Sequence, residues 1–134
     1  FYVVLYMILE GCIPALKQFK VHAMKYLVRV YLSQENWIAC PDATCFAFAE
    51  QLAASGRMLA AEPLHPVGTA TTVRVRNGQM SMTDGPFAET KEQLAGFYLI
   101  DAKDLNEAVA VASKIPPAQY GSIEVRPVRE LALV

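Results

Sequence analysis

Between Met24 and Val128 the chain alternates strand-like and helix-like segments, and it offers only two helices to cover strands that are apolar on both sides. Lys25 to Leu32 (KYLVRVYL) is dense in β-branched and aromatic residues and reads as a strand. Successive side chains of a strand point to opposite faces, so Tyr26, Val28 and Val30 share one face and Leu27, Arg29 and Tyr31 the other. From Asp42 the apolar spacing becomes helical, with Phe46, Ala49, Leu52 and Ala53 on one face and Ser55-Gly56 as the stop. Met58 to Ala61 is a short apolar strand running into Glu62-Pro63-Leu64-His65-Pro66, which its prolines keep non-helical.

Thr69 to Arg76 alternates, Asn77-Gly78 is a strong hairpin signal, and Gln79 to Thr83 is the return strand. Asp84 to Gln93 (DGPFAETKEQ) reads as a polar loop, and Leu94 to Asp101 as the next strand. Asp104 and Glu107 have capping-box spacing and open a second helix through about Ile115, which Pro116-Pro117 breaks. Ser122 to Val128 is the last strand. The order predicts an α+β fold, a ferredoxin-like split βαβ with an added β-hairpin. Two helices cover one face of such a sheet. The apolar residues on the other, Leu27, Tyr31, Phe97 and Leu99, predict a homodimer in which a second copy's sheet supplies the cover.

Composition supports one well-cored domain. The chain has 134 residues, of which 54% are hydrophobic and 19% charged, against roughly 45–50% and 25% in ordinary soluble domains. Disorder needs the opposite balance. A net charge of -1 argues against direct nucleic-acid binding, which leans on a basic surplus. The three cysteines, Cys12, Cys40 and Cys45, cannot all pair within one chain and fit no zinc spacing. Cys40 and Cys45 therefore read as small buried hydrophobes, and unbridged thiols suit a reducing cytoplasm.

Phe1 to Leu9 (FYVVLYMIL) is too short an apolar run to span a bilayer and lacks the basic flank of a signal peptide, so no membrane association is expected. Residues 1–23 read as a non-native extension ahead of a domain over residues 24–134.

The densest polar cluster is Asp84, Glu89, Lys91 and Glu92, beside Gly85-Pro86. A carboxylate there suits general acid–base work, with Lys91 as charge partner or anion clamp. The plain alternative is a solvated turn with Lys91 paired to Glu89 or Glu92. His65, in the proline-rich segment, is a weaker candidate because no neighbouring Asp orients it. Arg74 and Arg76 share one side of the hairpin and read as a solvated edge. No phosphate loop, dinucleotide glycine fingerprint, nucleophile elbow or HExxH helix is present, so no cofactor is expected.

The run Met82-Thr83-Asp84-Gly85-Pro86-Phe87-Ala88-Glu89-Thr90-Lys91-Glu92-Gln93-Leu94, followed by Gly96-Phe97-Tyr98-Leu99-Ile100-Asp101, resembles the signature of the DGPF-domain branch of the YCII-related family. The resemblance extends to Met24-Lys25-Tyr26 and to Val125-Arg126-Pro127-Val128. It implies a ferredoxin-like unit assembling as a dimeric α+β barrel. The wider family's suspected activity uses a His–Asp pair. This chain departs from it, with Phe46 and no His in the first helix, and Pro116-Pro117 where another branch carries Asp-Pro. The resemblance leaves two functional expectations. One is a small-molecule-binding protein, or a cofactor-free enzyme, with a pocket between the sheet and the DGPFAETKE loop. The other is a non-catalytic regulatory module, since members of the branch are often encoded beside extracytoplasmic-type sigma factors and would contact a sigma-factor-related partner.

Overall fold

The computed structural model describes residues 24–132; the expectations for residues 1–23 lie outside them. Six strands and two α-helices follow in the order β1 (Met24–Ser33), α1 (Asp42–Ala54), β2 (Met58–Pro63), β3 (Thr71–Arg76), β4 (Gln79–Asp84), β5 (Glu92–Ala102), α2 (Leu105–Ala112) and β6 (Ser122–Pro127). Short 3-10 turns at Asn36–Ile38, Val67–Thr69 and Pro116–Gln119 fill three of the connections. The main sheet has the order β2-β5-β1-β6, and β3 pairs with β4 in a separate two-stranded sheet. This is the ferredoxin-like α+β arrangement, with the hairpin inserted between its second and third strands.

The core follows from the strand alternation. Tyr26, Val28, Val30 and Leu32 of β1 face the helices beside Tyr98, Ile100 and Ala102 of β5, with antiparallel register placing Tyr26 opposite Ile100 and Val28 opposite Tyr98. Ala108, Val111 and Ala112 of α2 close over them, with Leu52 of α1 and Ile115. Asp104 caps α2, its side chain accepting from the Glu107 N–H at 2.9 Å, while the Glu107 carboxylate reaches back to the Lys103 N–H at 3.2 Å. Arg57 pairs with that same Glu107 at 3.0 Å, tying the start of β2 to α2.

Several boundaries differ from the sequence reading, two of them with a clear structural cause. Helix α2 ends at Ala112 and not near Ile115. Its last carbonyls are taken by tighter turns, with Lys114 N–H on Val111 and Ile115 N–H on Ala112, which swing Ile115 into the core. Strand β5 begins at Glu92, two residues into the expected loop, because Glu92 and Gln93 pair with Ser33 and Leu32 of β1.

The Asn77-Gly78 turn has the expected left-handed pair, φ 53° and 74°, the geometry of a type I′ hairpin. Val73 opposes Met82 and Val75 opposes Met80 on one side of the hairpin, while Thr72, Arg74 and Arg76 occupy the other. All four apolar residues are exposed. On the main sheet, the face away from the helices carries Leu27, Tyr31, Phe97 and Leu99, each half-buried. Among them lie Arg29, stacked 5.2 Å over the Tyr31 ring, and Glu124, which Arg29 meets at 3.6 Å and Arg126 at 3.7 Å. No helix among the described residues is long and apolar enough to cross a membrane.

Candidate functional site

A cleft of about 790 Å³ opens on the helical side, bounded by α1, the ends of β1 and β5, β2 and the proline-rich segment after it. Its cause lies in side-chain size. Where α1 passes over this end of the sheet it presents Cys45, Ala49 and Ala53, and the facing strands present Ala61, Ala95 and Gly96, so the two layers do not fill the space between them. Only Leu52 of α1 is fully buried. Phe46, expected on the packed face with Leu52, is 66% exposed and overhangs the opening.

Aromatic rings shape the interior. Trp37, Phe46 and Tyr98 contribute to the lining, and Phe48 braces Tyr98 edge-on, with ring centroids 5.8 Å apart at 85°. Burial and the neighbouring Cys45 and Cys40 push the Tyr98 phenol up to about 12. The phenol therefore stays protonated at neutral pH and offers an O–H donor. His65 also lines the cleft. The Leu64 N–H donates to the Ala95 carbonyl at 2.8 Å and fixes the proline-rich segment beside β5. Glu50 and Glu62 add carboxylates to the lining. The arrangement suits an apolar, partly aromatic ligand with one polar end.

The two cysteines differ from their sequence reading. Cys40 and Cys45 are half-buried and both line the cleft, their sulfurs 2.8 Å apart. Pro41, the N-cap of α1, turns the chain between them and accepts the Cys45 N–H at 3.3 Å. Spacing alone concealed this pairing. A separation of five residues brings two side chains together only because the extended Pro41 (φ -61°, ψ 139°) folds Cys40 back over the first helical turn.

Of the candidate catalytic residues Asp84, Glu89, Lys91, Glu92 and His65, His65 is the one that lines this cleft. Asp84 ends β4, exposed, in register with Thr71. The turn after it is held by the Gly85 N–H on the Ala70 carbonyl at 2.7 Å and by the Thr72 hydroxyl on the Gly85 carbonyl at 2.8 Å. Glu89 and Lys91 are exposed, and Glu92 is half-buried at the start of β5. Lys91 borders a smaller hollow of about 290 Å³ with Ser33, Gln34 and Glu35. Among the described residues Lys91 forms no ion pair with Glu89 or Glu92; the ion pairs there join Arg29, Arg126 and Arg57 to Glu124 and Glu107. The loop thus flanks the sheet without entering the large cleft.

A four-stranded ferredoxin-like sheet, backed by two helices and with a cleft beneath one of them, defines an α+β protein of the ferredoxin-like class. Comparison with known families agrees in fold and adds a name. The YCII-related domain matches residues 24–132, and the chain belongs to that family. An uncharacterized protein of Rhizobium meliloti (strain 1021) is 47% identical over 75 residues, a match spanning 54% of this chain and 60% of that protein.

Proposed function

We propose that this YCII-related protein binds a small, partly aromatic molecule in the cleft beneath α1, with Tyr98 and His65 at its polar end. The cleft itself carries the reading: its volume is of drug-sized-ligand scale, and its lining is apolar with a few polar groups. Within it, the protonated Tyr98 phenol donates a hydrogen bond and the His65 imidazole can donate or accept one. That pair supports cofactor-free proton transfer on a bound carbonyl or phenol. Asp84, Glu89, Lys91 and Glu92 serve as an acid–base set only for a ligand reaching past the lining. The DGPFAETKE run supports membership of the DGPF branch of that family, and the unbridged thiols support a reducing, cytoplasmic location.

Trp37 is the sole tryptophan of the chain and lines the cleft, so its emission reports occupancy directly. Titration with 2-naphthol and with substituted phenols is expected to change Trp37 emission saturably. Ala53→Phe, at an exposed position whose side chain borders the cleft, is expected to weaken that binding about tenfold or more by filling space. Alanine variants at Asp84, Glu89 and Lys91 are expected to leave it unchanged. No saturable response from any of these probes, or equal binding by the Ala53→Phe protein, overturns the reading.

The uncovered sheet face supports a homodimer of the α+β-barrel kind. Leu27, Tyr31, Phe97 and Leu99 form an apolar patch with no helix over it, and Val73, Val75, Met80 and Met82 present a second on a hairpin that has no core of its own. Isolated two-stranded hairpins are marginal in water, so a second copy gives both patches a cover. Light scattering at micromolar concentration is expected to give twice the chain mass, and Leu99→Asp to shift it toward one. A wild-type monomer at that concentration is the contrary result. Contact with a sigma-factor-related partner draws its support from the branch resemblance.

A further inference from the structure

The cleft wall contains a reactive group that ligand binding does not need. Cys40 and Cys45 sit with sulfurs 2.8 Å apart, and both are partly open to solvent. A disulfide requires about 2.05 Å, so the gap closes by less than 1 Å. The alternative use of two thiols, a metal, needs further ligands. Among the described residues no three His, Cys, Asp or Glu side chains gather closely enough to hold one.

We propose that Cys40 and Cys45 are a redox-active dithiol that forms a reversible intrachain disulfide in the wall of the cleft by exchange with oxidised glutathione or a similar low-molecular-weight disulfide. The order of events follows from the two environments. Burial, the hydrogen bond to Cys40, and the charges of Cys40 and Asp42 push the Cys45 thiol up to about 12, so Cys45 keeps its proton while Cys40 acts first.

The Cys40 thiolate attacks one sulfur of oxidised glutathione. The glutathione S–S bond breaks, a Cys40–glutathione bond forms, and one glutathione leaves as thiolate and takes a proton. Capping Cys40 removes the charge that opposed ionisation of Cys45. Cys45 then loses its proton to water, its sulfur attacks Cys40 Sγ, and the second glutathione leaves. Both cysteine sulfurs are oxidised and both glutathione sulfurs reduced. The product ties the segment before Pro41 to the first turn of α1 and removes two S–H groups from the surroundings of Tyr98.

The experiment uses the full chain with Cys12→Ser, which leaves Cys40 and Cys45 as its only cysteines. After incubation with oxidised glutathione the protein is denatured, alkylated and weighed. The expected product has lost two hydrogens and both alkylation sites, carries no glutathione, and regains both sites with dithiothreitol. Cys45→Ser in that background is expected to accumulate one glutathione on Cys40, and Cys40→Ser to take up glutathione on Cys45 more slowly, because burial still opposes its ionisation. Peptide mapping of the unsubstituted chain gives an independent reading, because Lys17, Lys20, Lys25 and Arg29 separate Cys12 from the tryptic peptide carrying the pair. Retention of both free thiols, stable glutathione on both cysteines, or disulfide-linked dimers on a non-reducing gel each overturns the proposal.

Discussion

Gly121→Ala is expected to lower stability by about 3 kcal/mol, seen as a fall in Tm of roughly 10–15 °C in thermal unfolding at fixed protein concentration. A Cβ at Gly121 would overlap the backbone carbonyl oxygen of Tyr31 and press on the Leu32 side chain. Neither neighbour has room to yield. Tyr31 is paired to Leu94 on one side and to Ser122 on the other, so its carbonyl belongs to the middle of the sheet. Leu32 is buried in the core. Gly121 itself is pinned by its N–H on the Pro117 carbonyl at 2.9 Å, and Asn36 reaches the adjacent Tyr120 carbonyl at 2.9 Å. A variant with unchanged Tm would show that the 3-10 turn at Pro116–Gln119 can move away from β1, contrary to this packing.

Ile100→Ala is expected to be the most damaging truncation on the sheet, at about 4 kcal/mol, with Ile100→Val near 1 kcal/mol. Ile100 is fully buried on a central strand, between Tyr26 of β1 and Met58 of β2, so the lost methyl groups leave a cavity in the packed core. Denaturant unfolding separates this effect from association. Ile100→Ala should lower the midpoint at every protein concentration. Leu99→Ala, one residue along on the uncovered face, should act mainly on the proposed dimer. A loss below about 1 kcal/mol for Ile100→Ala would mean that the core relaxes around the site.

Much of the fold was legible because local chemistry and long-range packing ask for the same thing. Asn77-Gly78 adopts left-handed φ wherever it closes a two-residue loop, and Asp104 caps α2 with its own carboxylate, so both were readable within a few residues. The strand faces were readable because alternation in Tyr26 to Leu32 survives any choice of neighbour. The cleft was not readable in this way. It exists where small residues from α1, β2 and β5 meet, and no short stretch of sequence records a missing volume.

Phe46 shows the limit most directly. Helical spacing placed it with Leu52 on the buried face, yet it is largely exposed and borders the cleft. The DGPFAETKE loop shows the reverse: it carries the densest chemistry in sequence and lies outside the main cavity. The thiol pair needed the turn at Pro41 to be seen at all.

The strand order has a consequence for how the chain reaches its fold. Every pairing in the main sheet joins segments far apart in sequence: β1 with β5, β1 with β6, β2 with β5. The one local hairpin, β3–β4, stands outside that sheet and contributes nothing to the core. The contact that forms soonest, on the order of microseconds, is thus a poor nucleus. Burial of Val28 and Ile100 has to await closure of the long loop between β1 and β5. Refolding is accordingly set by that encounter, in the millisecond-to-second range of non-local topologies, and the hairpin's turn chemistry does little to hasten it.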